Sequence, residues 1–82
     1  MELVKLTETI IKELVVDSDE ITVKEFPSED ENTIVIQVMI PESEMGRVIG
    51  REGKTAKAIR TIVQASSYIN GNKRVNINID SD

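Results

Sequence analysis

The sequence has 82 residues, with ten basic and fifteen acidic side chains, a net charge of −5, and neither cysteine nor histidine. This length accommodates one domain (residues 1–82) with a single modest core. The missing residue types exclude disulfides, thiolate metal sites and histidine-based catalysis, and they agree with a reducing, cytoplasmic location. No signal-peptide pattern opens the chain, and no apolar run approaches the roughly 20 residues that span a bilayer. We therefore expect a soluble intracellular protein without membrane association.

The first predicted elements are a helix and a strand. Residues 2–15 place apolar side chains at helical spacing, which predicts an amphipathic helix. The polar stretch at residues 17–19, which begins with Asp17, ends this helix. Residues 20–26 (EITVKEF) favour a strand, and the polar residues 27–32 that follow favour a turn.

The clearest strand follows at residues 33–40 (TIVIQVMI). One face of it is apolar at a period of two and consists of Ile34, Ile36, Val38 and Ile40. The other face is not strongly polar, so we expect it to be partly covered. Pro41 ends the strand, and Ser43 is the expected N-cap of a short helix that ends near Ile49.

The last part of the chain is predicted to hold a glycine turn, a longer helix and a third strand. The helix covers residues 54–69, and Asn70 and Gly71 suit a left-handed cap at its end. Residues 74–80 (RVNINID) alternate apolar and polar side chains, as in a strand with one buried face. This order of elements predicts an α+β fold, a three-stranded sheet with three helices packed on one face.

The glycine turn, in the segment MGRVIGREGKT at residues 45–55, is the candidate binding motif. Its GKT tripeptide matches the end of a P-loop, but a P-loop needs glycine at position 48, where this chain has Val48. Gly50 and Gly53 instead form a G-x-x-G turn, which lets another backbone approach closely. The following helix directs its N–H groups and dipole at this turn, so the phosphates of a single strand can lie there. The structural alternative is a turn that only joins two helices.

Charge is divided unevenly along the sequence. Residues 1–45 hold three basic and twelve acidic side chains, a net charge of −9, whereas residues 46–74 hold seven basic side chains and one acidic, a net charge of +6. A basic segment in an acidic chain favours a phosphate-binding surface around the glycine turn. For Lys73 and Arg74, away from the turn, an ordinary solvated position is the preferred interpretation.

The run MGRVIGREGKTAKAIRTIV at residues 45–63 closely resembles the KH motif, with Val-Ile before the G-x-x-G turn and an Ala- and Ile-rich helix after it. The order of elements resembles the type II KH topology, and the length is similar to that of the KhpA family of small bacterial RNA-binding proteins. The resemblance covers nearly the whole chain. It implies a KH domain whose turn and following helix hold about four nucleotides of single-stranded RNA.

The resemblance also implies partners and a cellular role. Members of this family pair with a larger KH protein, KhpB, have been described as RNA chaperones, and are linked to cell shape, elongation and wall synthesis. The expected RNA-binding residues are Gly46, Arg47, Ile49, Gly50, Arg51, Glu52, Gly53, Lys54 and Lys57. Glu52 departs from the basic or neutral residue of many members, and its carboxylate is expected to weaken phosphate binding.

Other functions find less support. RRM, OB and cold-shock domains need exposed aromatic platforms, whereas Phe26 and Tyr68 are expected as core or rim residues, and bases are expected against aliphatic residues such as Ile49, Val35 and Met39. No serine has a histidine partner and no calcium-loop spacing occurs, which argues against an enzyme or a metal protein. The alternative function is a KH-like protein-interaction module that binds RNA weakly.

The predicted helix at residues 54–69 is apolar on two sides. Its core side is expected to carry Ala56, Ile59, Val63 and Ser66, and a polar strip to carry Lys57, Arg60, Gln64 and Ser67. A third side carries Ala58, Ile62, Ala65 and Ile69. A helix with two apolar sides is usually covered on both, so we expect this side to form a homodimer or a heterodimer with a related KH protein. The alternative is that the N-terminal helix covers it.

Overall fold

The structure, a computed structural model, describes residues 2–16 and 18–81. Asp17, which was predicted to end the first helix, lies outside the described residues. The helices are α1 (Leu3–Leu14), α2 (Met45–Ile49) and α3 (Lys54–Asn70), and the strands are β1 (Thr22–Phe26), β2 (Thr33–Ile40) and β3 (Arg74–Ser81). Short 3-10 turns lie at Ser18–Glu20, Glu42–Glu44 and Arg51–Gly53. The predicted order of elements is confirmed.

The three strands form one sheet in the order β1-β2-β3. β1 runs antiparallel to β2, and a short loop joins them. β3 runs parallel to β2, with Ile36 opposite Ile77. Parallel neighbours need a crossover connection, which α2 and α3 supply. β2 is therefore the central strand, and β1 and β3 form the two edges.

The core lies between the sheet and the helices on one of its faces. The members buried most deeply are Ile11, Ile36, Val38, Ile40, Val48, Ile59 and Val63. The period-two pattern of β2 supplies three of them, so its predicted buried face is confirmed. Thr7 of α1 is also buried, and its hydroxyl donates to the Leu3 carbonyl at 2.8 Å, which satisfies its polar group.

The predicted N-cap of α2 is wrong, whereas α3 ends at Gly71 as predicted but without the left-handed conformation expected there. Ser43 lies inside the 3-10 turn before α2, and Glu44 takes the N-cap position of that helix. After α3, Gly71 has a φ of −164°, and Asn72 adopts the left-handed conformation with a φ of 55°. The N–H groups of Gly71 and Asn72 both donate to the Ser67 carbonyl, at 2.8 and 2.7 Å. Asparagine tolerates positive φ better than most residues, which permits this conformation at position 72.

Two residues of the polar strip predicted on α3, Gln64 and Ser67, do not face solvent freely, because they form hydrogen bonds to the backbone at the start of β3. Ser67 is buried and its hydroxyl donates to the Lys73 carbonyl at 2.6 Å, whereas Ser66 is only half-buried. The Gln64 side chain donates to the same carbonyl at 2.9 Å and accepts the Val75 N–H at 2.8 Å. Ser67, and not Ser66, therefore belongs to the core side of the helix.

Candidate nucleic-acid interface

The G-x-x-G turn has a strongly curved backbone. Gly50, Glu52 and Gly53 have φ values of 75°, 55° and 74°. A side chain at position 50 would also collide with the Thr55 hydroxyl, so both conformation and space require glycine there. Gly46 differs, because a Cβ at that position meets no atom within 4 Å. Close packing within the chain therefore does not explain why residue 46 is a glycine.

The turn leads directly into the N-terminus of α3, where Gly53 is the N-cap. The N–H groups of Gly53 and Lys54 donate to the carbonyls of Gly50 (3.3 Å) and Arg51, so the turn itself uses these two donors. Because the N-cap residue Gly53 has no side chain, no side-chain group caps the first N–H groups of α3. The positive end of the α3 dipole therefore faces the surface of the turn.

Exposed basic side chains surround this helix end. Arg51, Lys54 and Lys57 are all exposed, and none of them forms an ion pair with another described residue. Arg47 differs, because its Nε donates to a Glu44 carboxylate oxygen at 2.9 Å. Glu52 is exposed in the middle of the basic group. Three of the four predicted phosphate-facing cations thus have no intramolecular anion in the described structure.

The sequence did not single out Glu44, which is a buried carboxylate behind this site. Its side chain is 9% exposed, and its second oxygen accepts the Val16 N–H at 2.6 Å. Glu44 therefore ties α2 and Arg47 to the segment that follows α1. The three-residue spacing of Glu44 and Arg47 was the available signal for this pair.

A groove lies beside α3 at the edge strand β3. It contains two open cavities of about 420 and 400 Å³, and both are lined by Arg60 and Val75. The Arg60 Nε donates to the Ile77 carbonyl of β3 at 3.2 Å. Of the aliphatic residues expected along a groove, Val35 lines the second cavity, and Ile49 is half-buried at the end of α2.

Neither aromatic side chain belongs to the core. Phe26 is 47% exposed on the edge strand β1, and Tyr68 is 54% exposed on α3. The prediction for Phe26 and Tyr68 was a core or a rim position, and the structure contradicts the core position and agrees with the rim position. Tyr68 follows the buried Ser67, and one residue rotates a helix by about 100°, which turns its ring away from the core. It lines the larger cavity beside Arg60.

The third side of α3 is uncovered. Its members Ala58, Ile62, Ala65 and Ile69 are all exposed, and the exposed fractions of Ile62 and Ile69 are 51% and 83%. We call these four residues the apolar stripe. The alternative in which the N-terminal helix covers them is wrong, because α1 packs against the core side of α3.

Residues 2–16 and 18–81 form no helix that is long and apolar enough to cross a membrane. The same residues contain no group of three or more Asp or Glu side chains arranged to hold a metal ion.

Comparison with known proteins decides the family. The model of the KhpA/KhpB KH domain matches residues 4–79. The chain belongs to this family. It is 41% identical over 75 residues to the RNA-binding protein KhpA of Clostridium acetobutylicum, covering 92% of this chain and 96% of that protein. It is 39% identical over 74 residues to KhpA of Oceanobacillus iheyensis, covering 90% and 95%. The predicted family is confirmed.

Solved structures agree with the predicted fold. Era, in a crystal structure with MgGDPNP and nucleotides 1506–1542 of 16S ribosomal RNA, superposes with a TM-score of 0.67 at 17% identity. The superposition covers 96% of this chain but only 29% of the Era chain. At this identity the likeness shows the fold alone, and it supports the type II KH topology.

Proposed function

We propose that this protein binds single-stranded RNA, with the phosphate backbone held on the G-x-x-G turn. The observation that carries the proposal is the glycine turn at the positive end of α3, surrounded by the exposed side chains of Arg51, Lys54 and Lys57, none of which forms an ion pair with another described residue. The names of the KhpA relatives, which are RNA-binding proteins, support it.

The turn suits a backbone of phosphates for two reasons. Gly50 and Gly53 carry no Cβ, so a sugar-phosphate chain approaches closely. Arg51, Lys54 and Lys57 then supply positive charge next to the helix dipole. KH domains hold about four nucleotides in this manner. Because the basic residues cluster at one turn and do not span two grooves, a single strand fits better than a duplex.

The bases of the bound strand are proposed to lie in the groove between α3 and β3. The half-buried side chains of Val35 and Val75 give this groove aliphatic contacts, and Arg60 adds a cation. Aliphatic contact replaces most of the aromatic stacking on which other RNA-binding folds rely. The half-buried Ile49 adjoins the turn at the end of α2.

The double substitution Arg51→Asp with Glu52→Asp tests this function. It should leave the fold intact, because both side chains are exposed, and abolish binding, because a cation is lost and a second carboxylate is placed beside the one already at position 52. Lys24→Asp, which changes charge equally on the exposed side of β1, is the matched control and should bind nearly as well as the wild type. Unchanged affinity in the folded double variant, or equal losses in both proteins, would refute the turn as the binding site.

Salt dependence gives an independent measurement of the same site. Neutralising about three or four phosphates of a single strand implies a log–log slope of roughly −2 to −3. A slope near −8 would require a far larger basic surface than the described residues offer.

The proposal extends to a protein partner. Ile62 and Ile69 expose apolar surface along α3, which favours either self-association or pairing with a larger KH protein of the KhpB type. The same exposure supports the second candidate function, a KH-like interaction module that binds RNA weakly. RNA-chaperone activity and a role in cell shape, elongation and wall synthesis stay predictions that follow from the family resemblance. A cytoplasmic location stays a prediction that follows from the absence of cysteine.

A further inference from the structure

We propose that the cavity beside Tyr68 is a stacking site for one nucleobase, beyond the nucleotides held at the G-x-x-G turn. This inference rests on the proposed RNA binding and adds a residue to it. The site takes an unpaired base through its planar face, so it favours single-stranded RNA without selecting a particular sequence.

The size and lining of the open cavity beside Tyr68 suit an aromatic ligand. Its volume is about 420 Å³, and its lining residues are Arg60, Thr61, Gln64, Ala65, Tyr68 and Val75. Val75 is half-buried, whereas Tyr68 is 54% exposed. The Arg60 Nε is bound to the Ile77 carbonyl at 3.2 Å, which holds the guanidinium at the sheet edge. An aromatic ring and a guanidinium plane are the two side-chain groups on which unstacked bases stack.

A continuous row of residues leads from the turn to this cavity. Lys57, Thr61, Gln64 and Tyr68 follow one another at intervals of four, three and four residues, so they share one face of α3. From Lys54 to Tyr68 the helix advances about 21 Å at 1.5 Å per residue. A strand whose phosphates lie at the turn and which continues along this face therefore reaches Tyr68.

Charge on the same side of α3 favours a nucleic acid as the occupant. Lys54 and Lys57 precede the cavity along the helix, Arg60 lines it, and none of its lining residues is acidic. These cations attract the phosphates on either side of a stacked base. Gln64 is already engaged with Lys73 and Val75, so the ring of Tyr68 and the guanidinium of Arg60 supply the recognition.

The test uses the single tyrosine of the chain as its reporter. Titration with an eight-nucleotide single-stranded RNA of mixed sequence should move the Tyr68 ring signals in the NMR spectrum upfield, as stacking against a base requires. The Phe26 ring signals are the internal control and should not move, because Phe26 lies on the other edge strand. Tyr68→Ala should weaken binding of this RNA at least about fivefold, whereas Tyr68→Phe should retain most of the affinity.

Control variants separate this inference from the proposed function and from self-association. Ile69→Ala alters the adjacent residue on the apolar stripe and should leave RNA affinity unchanged. If the turn variant loses binding while Tyr68→Ala keeps full affinity and the Tyr68 signals stay in place, the stacking site is refuted and the turn site stands. If Tyr68→Ala loses affinity while the turn variant does not, the turn site is refuted and the stacking site stands. A wild type that binds no RNA would refute both.

Discussion

Glu52 combines two unfavourable features in the centre of the proposed binding turn. Its φ of 55° is in the left-handed region, which costs a residue with a Cβ more than it costs glycine. Its carboxylate is exposed between Arg51 and Lys54, where a bound phosphate would lie. We therefore expect Glu52, which is unfavourable for both the turn and the proposed binding surface, to limit the affinity of this protein for RNA.

Replacing Glu52 should therefore tighten RNA binding. Glu52→Gln removes the charge and should raise affinity about two- to fivefold, as expected for one repulsion at the surface, and Glu52→Lys should raise it further. Glu52→Gly separates the backbone effect, because it should also raise the free energy of unfolding. Titrations at one fixed salt concentration measure the affinities. Weaker binding by Glu52→Lys would mean that the carboxylate makes a specific contact with RNA.

Asp30 stabilises the loop between β1 and β2 in a way that depends on pH. Its carboxylate accepts the Asn32 N–H at 2.8 Å and the Thr33 hydroxyl at 3.1 Å. These two hydrogen bonds, the Asn32 bond first, hold the pKa of Asp30 below its usual value of 3.8. A lowered pKa in the folded state means that the stabilisation is present above the unfolded pKa and is lost as pH falls through the folded one.

Asp30→Ala should therefore reduce the free energy of unfolding at pH 7 and have a smaller effect at pH 2.5. Urea denaturation at the two pH values measures the difference between variant and wild type. Glu31→Ala removes an exposed carboxylate from the same loop and is the matched control. An Asp30→Ala effect of equal size at both pH values would contradict the assigned hydrogen bonds.

At the scale of elements, Glu44 fixes the position of α2, the short helix that precedes the turn. Five residues form too short a helix to be stable alone, so α2 depends on tertiary contacts. Val48 anchors it in the core, and Glu44 accepts hydrogen bonds from the Val16 backbone and the Arg47 side chain. A buried carboxylate thus helps to set where the G-x-x-G turn begins.

Glu44→Ala should lower the free energy of unfolding by about 2 kcal/mol, because it removes hydrogen bonds to a charged group in a buried site. Glu42→Ala, an exposed glutamate of the same 3-10 turn, should have little effect. Chemical denaturation of both variants provides the measurement. Equal stability of the two variants would mean that the Glu44 hydrogen bonds contribute nothing net.

The elements themselves could be predicted from local patterns, because their periodicities reflect which face is buried. The strand β2 shows this most clearly, with its alternating buried residues. The N-cap of α2 and the position of Ser67 were predicted wrongly. Glu44 contacts Val16 and Ser67 contacts Lys73, and neither contact is visible in a local window. The turn was found because its residues are contiguous. The cavity at Arg60 and Tyr68 was missed because it requires the position of β3 beside α3.

Across the molecule, the apolar stripe and the proposed RNA surface occupy neighbouring sides of α3 and meet at Ala65, which also lines the cavity beside Tyr68. Ile62 and Ile69 are on the stripe, whereas Lys57 and Tyr68 are on the row that leads from the turn. A partner on the stripe would therefore leave the G-x-x-G turn accessible. The small side chains of Ala58 and Ala65 flank Ile62, so two such helices can approach closely in a two-fold pairing.

Ile62→Glu should convert a homodimer into a folded monomer at micromolar concentration, because it places a charge at the centre of the stripe. Ile62 is 51% exposed in the single chain, so the substitution should not unfold it. Phe26→Glu introduces the same charge at an apolar residue of similar exposure on β1, and it should leave the association state unchanged. Sedimentation equilibrium measures mass, and circular dichroism confirms the fold. A monomeric wild type would refute the homodimer, and a dimeric Ile62→Glu variant would place the interface elsewhere.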